Sequence, residues 1–592
     1  MTIKSFYLVG QDKDIYGQDI HIDQYHDFEA LQHAIAEQYN IIEPAGIGLQ
    51  DSKASGLADL DAVLDCDDAI GVTVDGQAIR DPAGPEGLPF VGAYYEVFPE
   101  HLGNHARLFQ KYGSLIEYET MGKRNYLTND PAIATVAFQE SAFFSKQITP
   151  EHPLAGIKDN RALFIGDTDT DAWRQAHKFI PPAMSPRAVR HYTPLMEASV
   201  KESFKAFDKL DQEGEAWNVY QYMLKLASQT VFKFALGYDA HHFDSPDSPL
   251  NELVVLIAHS LSLNKKVTSR GSWYAKLGAI PYTTANELRN VQNRLWTILN
   301  KAIDQAPKGD TDEDLPLQSA ALGASCVVDY LKRATDDHGN KLPRELVIPN
   351  MLPISGAGFT TTSLCVYEGN QDRLLQELVD AGVNENTKWT PELSDGLIFL
   401  DKFVKETQRL HNPSFQPGRT AKVDCIVPGG YRLPAGAVVI CALHAIHNNP
   451  KIWTSPDRFN PDRWGTEEVA NRPKNSYMPF ATGPRSCIGF NFALGEVKVL
   501  LPELVYRYEF SKEGDEAVTY DPEFQLIRPM NFYVRAKKRT TWPEPSPDAK
   551  RLRKSIRQGN RSRLFSGLFL MKSSLGSFED KAIEMSRDLN GA

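Results

Sequence analysis

Cysteine is scarce and scattered in this chain. The six cysteines, Cys66, Cys326, Cys365, Cys425, Cys441 and Cys487, are spread over 592 residues, and no two are spaced as C-x-x-C. That argues against a disulfide framework and favours a reducing compartment. Long apolar runs are also missing. No window approaches about 18 uncharged apolar residues, and the start, MTIKSFYLVGQDKDIYG, has no apolar run of signal-peptide length. A cytoplasmic location without signal peptide or transmembrane anchor is the expectation. Basic charge is in deficit, with 64 Lys and Arg against 76 Asp and Glu and a net charge of -12. General nucleic-acid binding needs a basic face and is excluded on that ground. No internal repeat is present. What remains is ordinary globular composition, 42% hydrophobic and 24% charged, in a chain long enough for a large core.

Residues 1–80 read as a unit. The segments IKSFYLVG, GQDIHID, GIGLQD and AIGVTVDG have strand character, and DFEALQHAIAEQY has helical spacing at Phe28, Leu31, Ala34 and Ile35. Two strands, a helix and further strands suggest a small α+β module of the β-grasp, ubiquitin-like kind. An extension packed on the main domain fits the same pattern. RDPAGPEGLPFVG, residues 80–92, is a Pro/Gly-rich boundary. From 83 to 540 the chain is mainly helical with short strands, as in DCIVPGGYRLPAGAVVICAL over 424–443. Residues 541–592 form a C-terminal tail. Its 550–572 portion holds eight Lys and Arg and no acid. That composition suits a flexible solvated tail or a segment that touches a membrane surface or a partner.

One cysteine stands out. PFATGPRSCIGFNFALGE, residues 479–496, puts Cys487 between glycines and at the mouth of a helix-like run. The positive end of a helix favours a thiolate there, and Arg485 adds a second cationic group. A thiolate is a metal ligand, but zinc needs four ligands and no other Cys or His stands at ligand spacing nearby. The option left is a metal whose other ligands are not protein, such as haem iron with one axial thiolate.

These residues resemble the haem-binding signature of the cytochrome P-450 family, F-x-x-G-x-R-x-C-x-G, which is complete here as Phe480, Gly483, Arg485, Cys487 and Gly489. The resemblance implies Cys487 as the proximal iron ligand, Phe480 packed near its sulfur and Arg485 on a haem propionate. Other segments resemble the family's motifs in the family's order. DAWRQAHKF resembles the propionate helix W-x-x-x-R, with Trp173 in place and His177 at the arginine position. PISGAGFTTTSLCVYEG resembles the oxygen-binding helix. Its Ala357 and Gly358 leave room for O2, Thr360 stands where an acid is usual, and Thr361 is the proton-relaying hydroxyl. That helix looks short, because apolar character stops near Tyr367 and EGNQD reads as a turn. KETQRL supplies the E-x-x-R pair Glu406 and Arg409, and SPDRF supplies Arg458 as third member of a structural network. Arg419 is placed like a further propionate-binding arginine.

The fold implied is mainly α with small β-sheets over 83–540, the cytochrome P-450 fold, closest to the family's soluble fatty-acid hydroxylase branch without its fused reductase. The activity implied is that of a haem-thiolate monooxygenase using haem b, O2 and two electrons from NADPH. The electrons come through the FAD and FMN of a separate flavoprotein reductase. The substrate is a hydrophobic small molecule, with a fatty acid or a secondary-metabolite intermediate as the leading classes. Two rivals stand beside this reading. One is a haem-thiolate isomerase, dehydratase or peroxygenase, suggested by Thr360. The other is a haem-defective relative acting as a binding or scaffold protein, suggested by the shortened helix.

Overall fold

The computed structural model describes residues 2–98, 100–157, 161–307, 313–357, 369–413 and 417–551. The chain opens with β1 (Ile3–Leu8), β2 (Gln18–His21), α1 (Phe28–Tyr39), β3 (Ile47–Gln50), β4 (Gly56–Leu57) and β5 (Ile70–Val74). α1 starts where the Asp27 carboxylate accepts the Ala30 N–H at 2.7 Å, and it ends at Asn40 in a left-handed conformation. Leu31, Ile35 and Ala36 are buried on this helix, in one cluster with Phe6 and Leu8 of β1 and Ile70, Val72 and Val74 of β5. The strands lie in the order β2-β1-β5-β3-β4, with β1 and β5 parallel and every other pair antiparallel. This is the β-grasp arrangement expected from the segment pattern.

The body follows. α2 (His101–Tyr112) leads to β6 (Leu115–Thr120), β7 (Lys123–Thr128), α3 (Pro131–Phe138) and β8 (Phe144–Ser145). A run of helices comes next: α4 (Asp171–Phe179), α5 (Pro186–Glu213), α6 (Val219–Leu236), α7 (Glu252–Ser269), α8 (Thr284–Gln305), α9 (Arg344–Ala357), α10 (Asn370–Ala381) and α11 (Ile398–Leu410). The strands β9 (Gly418–Ala421), β10 (Cys425–Val427), β11 (Tyr431–Leu433) and β12 (Val438–Cys441) precede α12 (Leu443–His447), α13 (Phe490–Arg507), β13 (Tyr508–Lys512) and β14 (Tyr533–Lys538). The main sheet of the body has the order β6-β7-β12-β9-β8, with β7 and β12 parallel. The whole is mainly helical with small sheets, as expected.

The helical core closes around α13. Gly495 permits the approach of α5, since a Cβ there would stand 3.3 Å from Val189 Cγ1. Phe492 stacks on Phe234 of α6 with ring centres 4.2 Å apart, and each such buried ring contributes about 1.5–3 kcal/mol. α9 ends at Ala357, and α10 begins after Gly369, whose φ is +74°. Gly369, within the EGNQD segment expected to turn, is left-handed and immediately precedes α10. Gly358, Thr360 and Thr361 lie outside the described residues, as does the basic part of the tail from 552 onward. The body reaches past 540: the Trp542 indole donates to the Tyr506 carbonyl at 2.9 Å and stacks on that ring. Ser546 N–H donates to Asp380 at 2.7 Å. Residues 541–551 of the expected tail thus include side chains and backbone bonded to the body. No helix among the described residues is long and apolar enough to cross a membrane.

Candidate functional site

The loop before α13 is closed by its own backbone. Cys487 N–H donates to the Phe480 carbonyl at 2.8 Å, and Ser486 N–H to the Gly483 carbonyl at 2.9 Å. Gly483 has φ +76° and lies against the end of α3, where a Cβ would stand 2.3 Å from the Phe138 carbonyl oxygen. Any other residue would be strained and would lift the loop off α3. Gly489 caps α13. The Phe480 ring lies 6.3 Å from that of Phe490, at the base of the same loop. Cys487 is the exposed cysteine among the described residues. Burial pushes this thiol up, while the Gly489 N–H and the Lys146 ammonium draw it down.

Around this loop the fold gathers cations. Arg485 lies over the Trp173 ring at 5.0 Å and donates to the Gly166 and Leu163 carbonyls, at 2.7 and 3.0 Å, and to the Thr168 hydroxyl at 3.0 Å. Trp173 stands on α4, whose first turn is capped by Thr170, and His177 one turn later stacks on it with ring centres 4.5 Å apart. Arg419, on β9, is buried and faces Glu140 Oε1 at 3.3 Å. Lys146, just after β8, is buried in the field of Arg419 and Arg485. His152 lies buried against Gly418. Burial and mutual repulsion act together on the group. Lys146 is held well below the ordinary lysine range, and Arg485 is lowered to about 10 and His152 to about 3. Glu140 is the carboxylate facing this set. Trp173 Nε1 and Arg419 Nε are buried and have no hydrogen-bond acceptor among the described residues. Buried donors without hydrogen-bond acceptors, and three buried or half-buried cations facing one carboxylate, are unfavourable by themselves. A ligand carrying two carboxylates would answer both deficits, and the propionates of haem are such a pair. The residues present therefore fit haem, with Cys487 as the exposed thiol, among the described residues, beside this cluster.

Behind the loop stands a buried ion network. Arg409 Nε and Nη2 donate to Glu406 at 3.0 and 2.9 Å, and both residues are fully buried on α11. The third arginine is Arg463, not Arg458. Arg463 Nε donates to Glu406 Oε1 at 3.0 Å, and the Trp464 indole donates to Glu406 Oε2 at 3.0 Å. Arg458 is exposed and offers only its carbonyl, to Arg409 and Arg463. The network reaches the thiol loop through α12. Arg409 Nη1 donates to the His447 carbonyl at 2.9 Å, and the His447 Nε2 accepts the Met478 N–H at 2.9 Å. Asn412 also holds the Pro479 carbonyl, at 3.2 Å.

The fold places Arg485 over Trp173, Trp173 against His177, and Lys146 in the field of Arg419, Arg485 and Cys487. Phe480, Gly483 and Gly489 shape the loop, and Glu406 and Arg409 pair. Ala357 ends α9. Sequence reasoning missed Lys146, Glu140, His152 and Arg463. A second P-D-R tripeptide at Pro461–Arg463, five residues after the first, was the available signal for Arg463. The other three lie in FQESAFFSKQITPEHP, which has no spacing to single them out.

Comparison with known proteins agrees with this geometry. The family model described as Cytochrome P-450 matches residues 82–534. Cytochrome P-450 monooxygenase alnD of Emericella nidulans is 48% identical over 559 residues, covering 92% of this chain and 100% of that protein. Thromboxane-A synthase of Rattus norvegicus is 26% identical over 465 residues, 72% of this chain and 86% of that one. Among solved structures, the crystal structure of the cytochrome P450DA heme domain superimposes with a TM-score of 0.65 at 20% identity, over 78% of this chain and 98% of that chain.

Proposed function

The chain belongs to the cytochrome P-450 family of haem-thiolate monooxygenases, and from that premise we propose that it hydroxylates or epoxidises a hydrophobic small molecule. A fatty acid or a secondary-metabolite intermediate is the substrate class, and a separate NADPH-dependent flavoprotein reductase supplies the electrons. Bound haem b supplies the chemistry, inserting one atom of O2 into a C–H or C=C bond while the other leaves as water. The observation that carries the reading is the pairing of one open thiol, Cys487, with a buried cationic cluster whose donors lack acceptors.

In this reading Cys487 ligates the iron, and the Gly489 N–H on its sulfur tunes the donor strength of the thiolate. Trp173, Arg419, Lys146, His177 and Arg485 would hold the propionates, and Arg485 also fixes the 163–168 segment beside them. By the family resemblance, Ala357 and Gly358 would leave space for O2, and the Thr361 hydroxyl would hold and pass on a proton from solvent. The Glu406–Arg409–Arg463 network holds the loop through His447. The basic tail reads as a peripheral membrane contact.

The test is the optical spectrum of the purified protein, reduced and exposed to carbon monoxide, for wild type and Cys487→Ala. A strongly red-shifted Soret band that the substitution abolishes is expected. A folded wild type that binds no haem would overturn the reading and favour a scaffold role. Thr360, at the position where the family usually has an acid, favours a second reading as a reductase-independent isomerase, dehydratase or peroxygenase. Product formation without reductase would establish it.

A further inference from the structure

Among the cations around the thiol loop stands one acid, Glu140. It follows the end of α3, two residues after Phe138, whose carbonyl lies against Gly483 of that loop. Its side chain is 5% exposed, and Oε1 lies 3.3 Å from Nε of the buried Arg419. Oε2 accepts from the Thr168 hydroxyl, which in turn accepts from Arg485 Nη1 at 3.0 Å. Glu140 thus touches one of the two arginines directly and reaches the other through a single hydroxyl. Its charge is felt at Arg419, Arg485 and Lys146, and Lys146 also feels the charge of Cys487. For holding propionates alone, a carboxylate at this place is unfavourable, because like charges repel where solvent and salt screen them little.

The balance of charge gives the acid a use. Arg419, Arg485 and Lys146 oppose two propionates once haem is bound, so positive charge is in excess by one unless Glu140 is included. That excess would favour any further negative charge nearby, and reduction of ferric to ferrous iron adds one. Local charge and the shell around the ligands set the potential of a buried iron centre. Glu140 cancels the excess. Arg419 and Thr168 hold it in place, so the compensation belongs to the fold and not to solvent ions.

We propose that Glu140 is a positioning residue that sets the reduction potential of the haem, its carboxylate holding the ferric–ferrous couple lower than the surrounding cations alone would. In the step concerned one electron passes from the reduced flavin of the reductase to ferric iron. The flavin is oxidised, and no bond to Glu140 forms or breaks. The proposal rests on the monooxygenase reading and deepens it, from the reaction performed to how readily its first electron is accepted.

The test is an equilibrium redox titration of the haem-loaded protein, followed by the Soret band, for wild type, Glu140→Gln, Glu140→Asp and Asp169→Asn. Glu140→Gln keeps the shape and an acceptor for the Thr168 hydroxyl while removing the charge. It is expected to raise the ferrous-to-ferric ratio at a fixed potential at least tenfold, a rise of about 59 mV for one electron. Glu140→Asp keeps the charge and should stay close to wild type. Asp169, an exposed acid on the same segment that pairs with Lys422 at 3.3 Å, is the control, and its removal should leave the potential where it was. An unchanged or lowered potential in Glu140→Gln would overturn the proposal, as would an equal rise in Glu140→Asp or Asp169→Asn. Loss of haem from Glu140→Gln alone would make the acid a structural support and overturn it as well. The reduced carbon-monoxide spectrum keeps the two readings apart. A normal red-shifted band with an unmoved potential removes this proposal alone, whereas a wild type without the band removes the monooxygenase reading and this proposal together.

Discussion

Glu406 has both carboxylate oxygens occupied by Arg409, Arg463, Trp464 and the Asn460 N–H, all within 3.0 Å. A carboxylate so surrounded stays charged, and the Arg409 bonds hold its pKa below the ordinary glutamate range against the opposing effect of burial. Such a network has little net worth against an apolar replacement, but removing one partner leaves an uncompensated buried charge. Arg463→Ala is therefore expected to lower stability by about 3–5 kcal/mol. Arg458→Ala, at an exposed side chain, should stay within about 0.5 kcal/mol. Urea unfolding of the two variants checks this, and equal losses would return Arg458 to the network. The same residues show what the sequence made legible. Glu406 and Arg409 are three apart on one helix, so their pairing follows from local geometry. The third partner comes from a loop, and two P-D-R tripeptides compete for it. Arg463 turns inward where the Thr454 and Ser455 carbonyls accept its remaining N–H groups, at 3.0 and 3.2 Å, which spacing does not encode. Lys146 and His152 were illegible for the same reason. They meet Arg419 only because β8 pairs with β9.

At the scale of elements, α13 joins the thiol loop to the core, and it carries a buried acid. Glu496 is 1% exposed between the apolar faces that pack on α5 and α6, and its Oε1 has no hydrogen-bond partner among the described residues. Burial raises its pKa well above the ordinary 4.5, opposed only by the Thr230 hydroxyl of α6. The native state therefore holds a proton that the unfolded chain releases once pH exceeds about 4.5. Stability must fall as pH rises through that window, by up to about 1.4 kcal/mol per pH unit, until the folded-state pKa is passed. Glu496→Gln keeps the shape and removes the titration. It should be near neutral at pH 5 and stabilising at pH 8, as read by thermal unfolding across that range. A variant with the wild-type pH slope would show that Glu496 is not the responsible group. The loop ahead of α13 was legible because its determinants are consecutive residues, each fixed by a turn. The start of α10 was legible from EGNQD, where Gly369 supplies the left-handed residue just before the helix.

The whole molecule raises the question of whether its N-terminal module is a separate body. Its topology is that of a free-standing fold, yet its core includes a residue from the body. Ile426 of β10 is buried in the cluster of Phe6, Leu31, Ile35 and Val72. Its N–H donates to the Asn40 carbonyl at 2.9 Å, and its carbonyl accepts from Ile42 at 3.1 Å. The hairpin of β10 and β11 makes further bonds. Gly429 N–H donates to Asp75 at 2.8 Å, Arg80 and the hairpin exchange backbone bonds at 2.9 Å, and Arg432 pairs with Asp81 at 2.8 Å. The same hairpin lies between β9, which bears Arg419, and β12. A module tied in this way should melt with the haem domain. Ile426→Ala removes a buried side chain shared by both parts, at a cost of about 2–5 kcal/mol. Scanning calorimetry should show one transition in the wild type, and in the variant the peak and the loss of the haem Soret band should move to lower temperature together. A separate early peak in the variant, with the Soret transition unmoved, would mean that the module folds independently and that the hairpin is merely its resting place. A joint shift would make the module part of what keeps Arg419 in position.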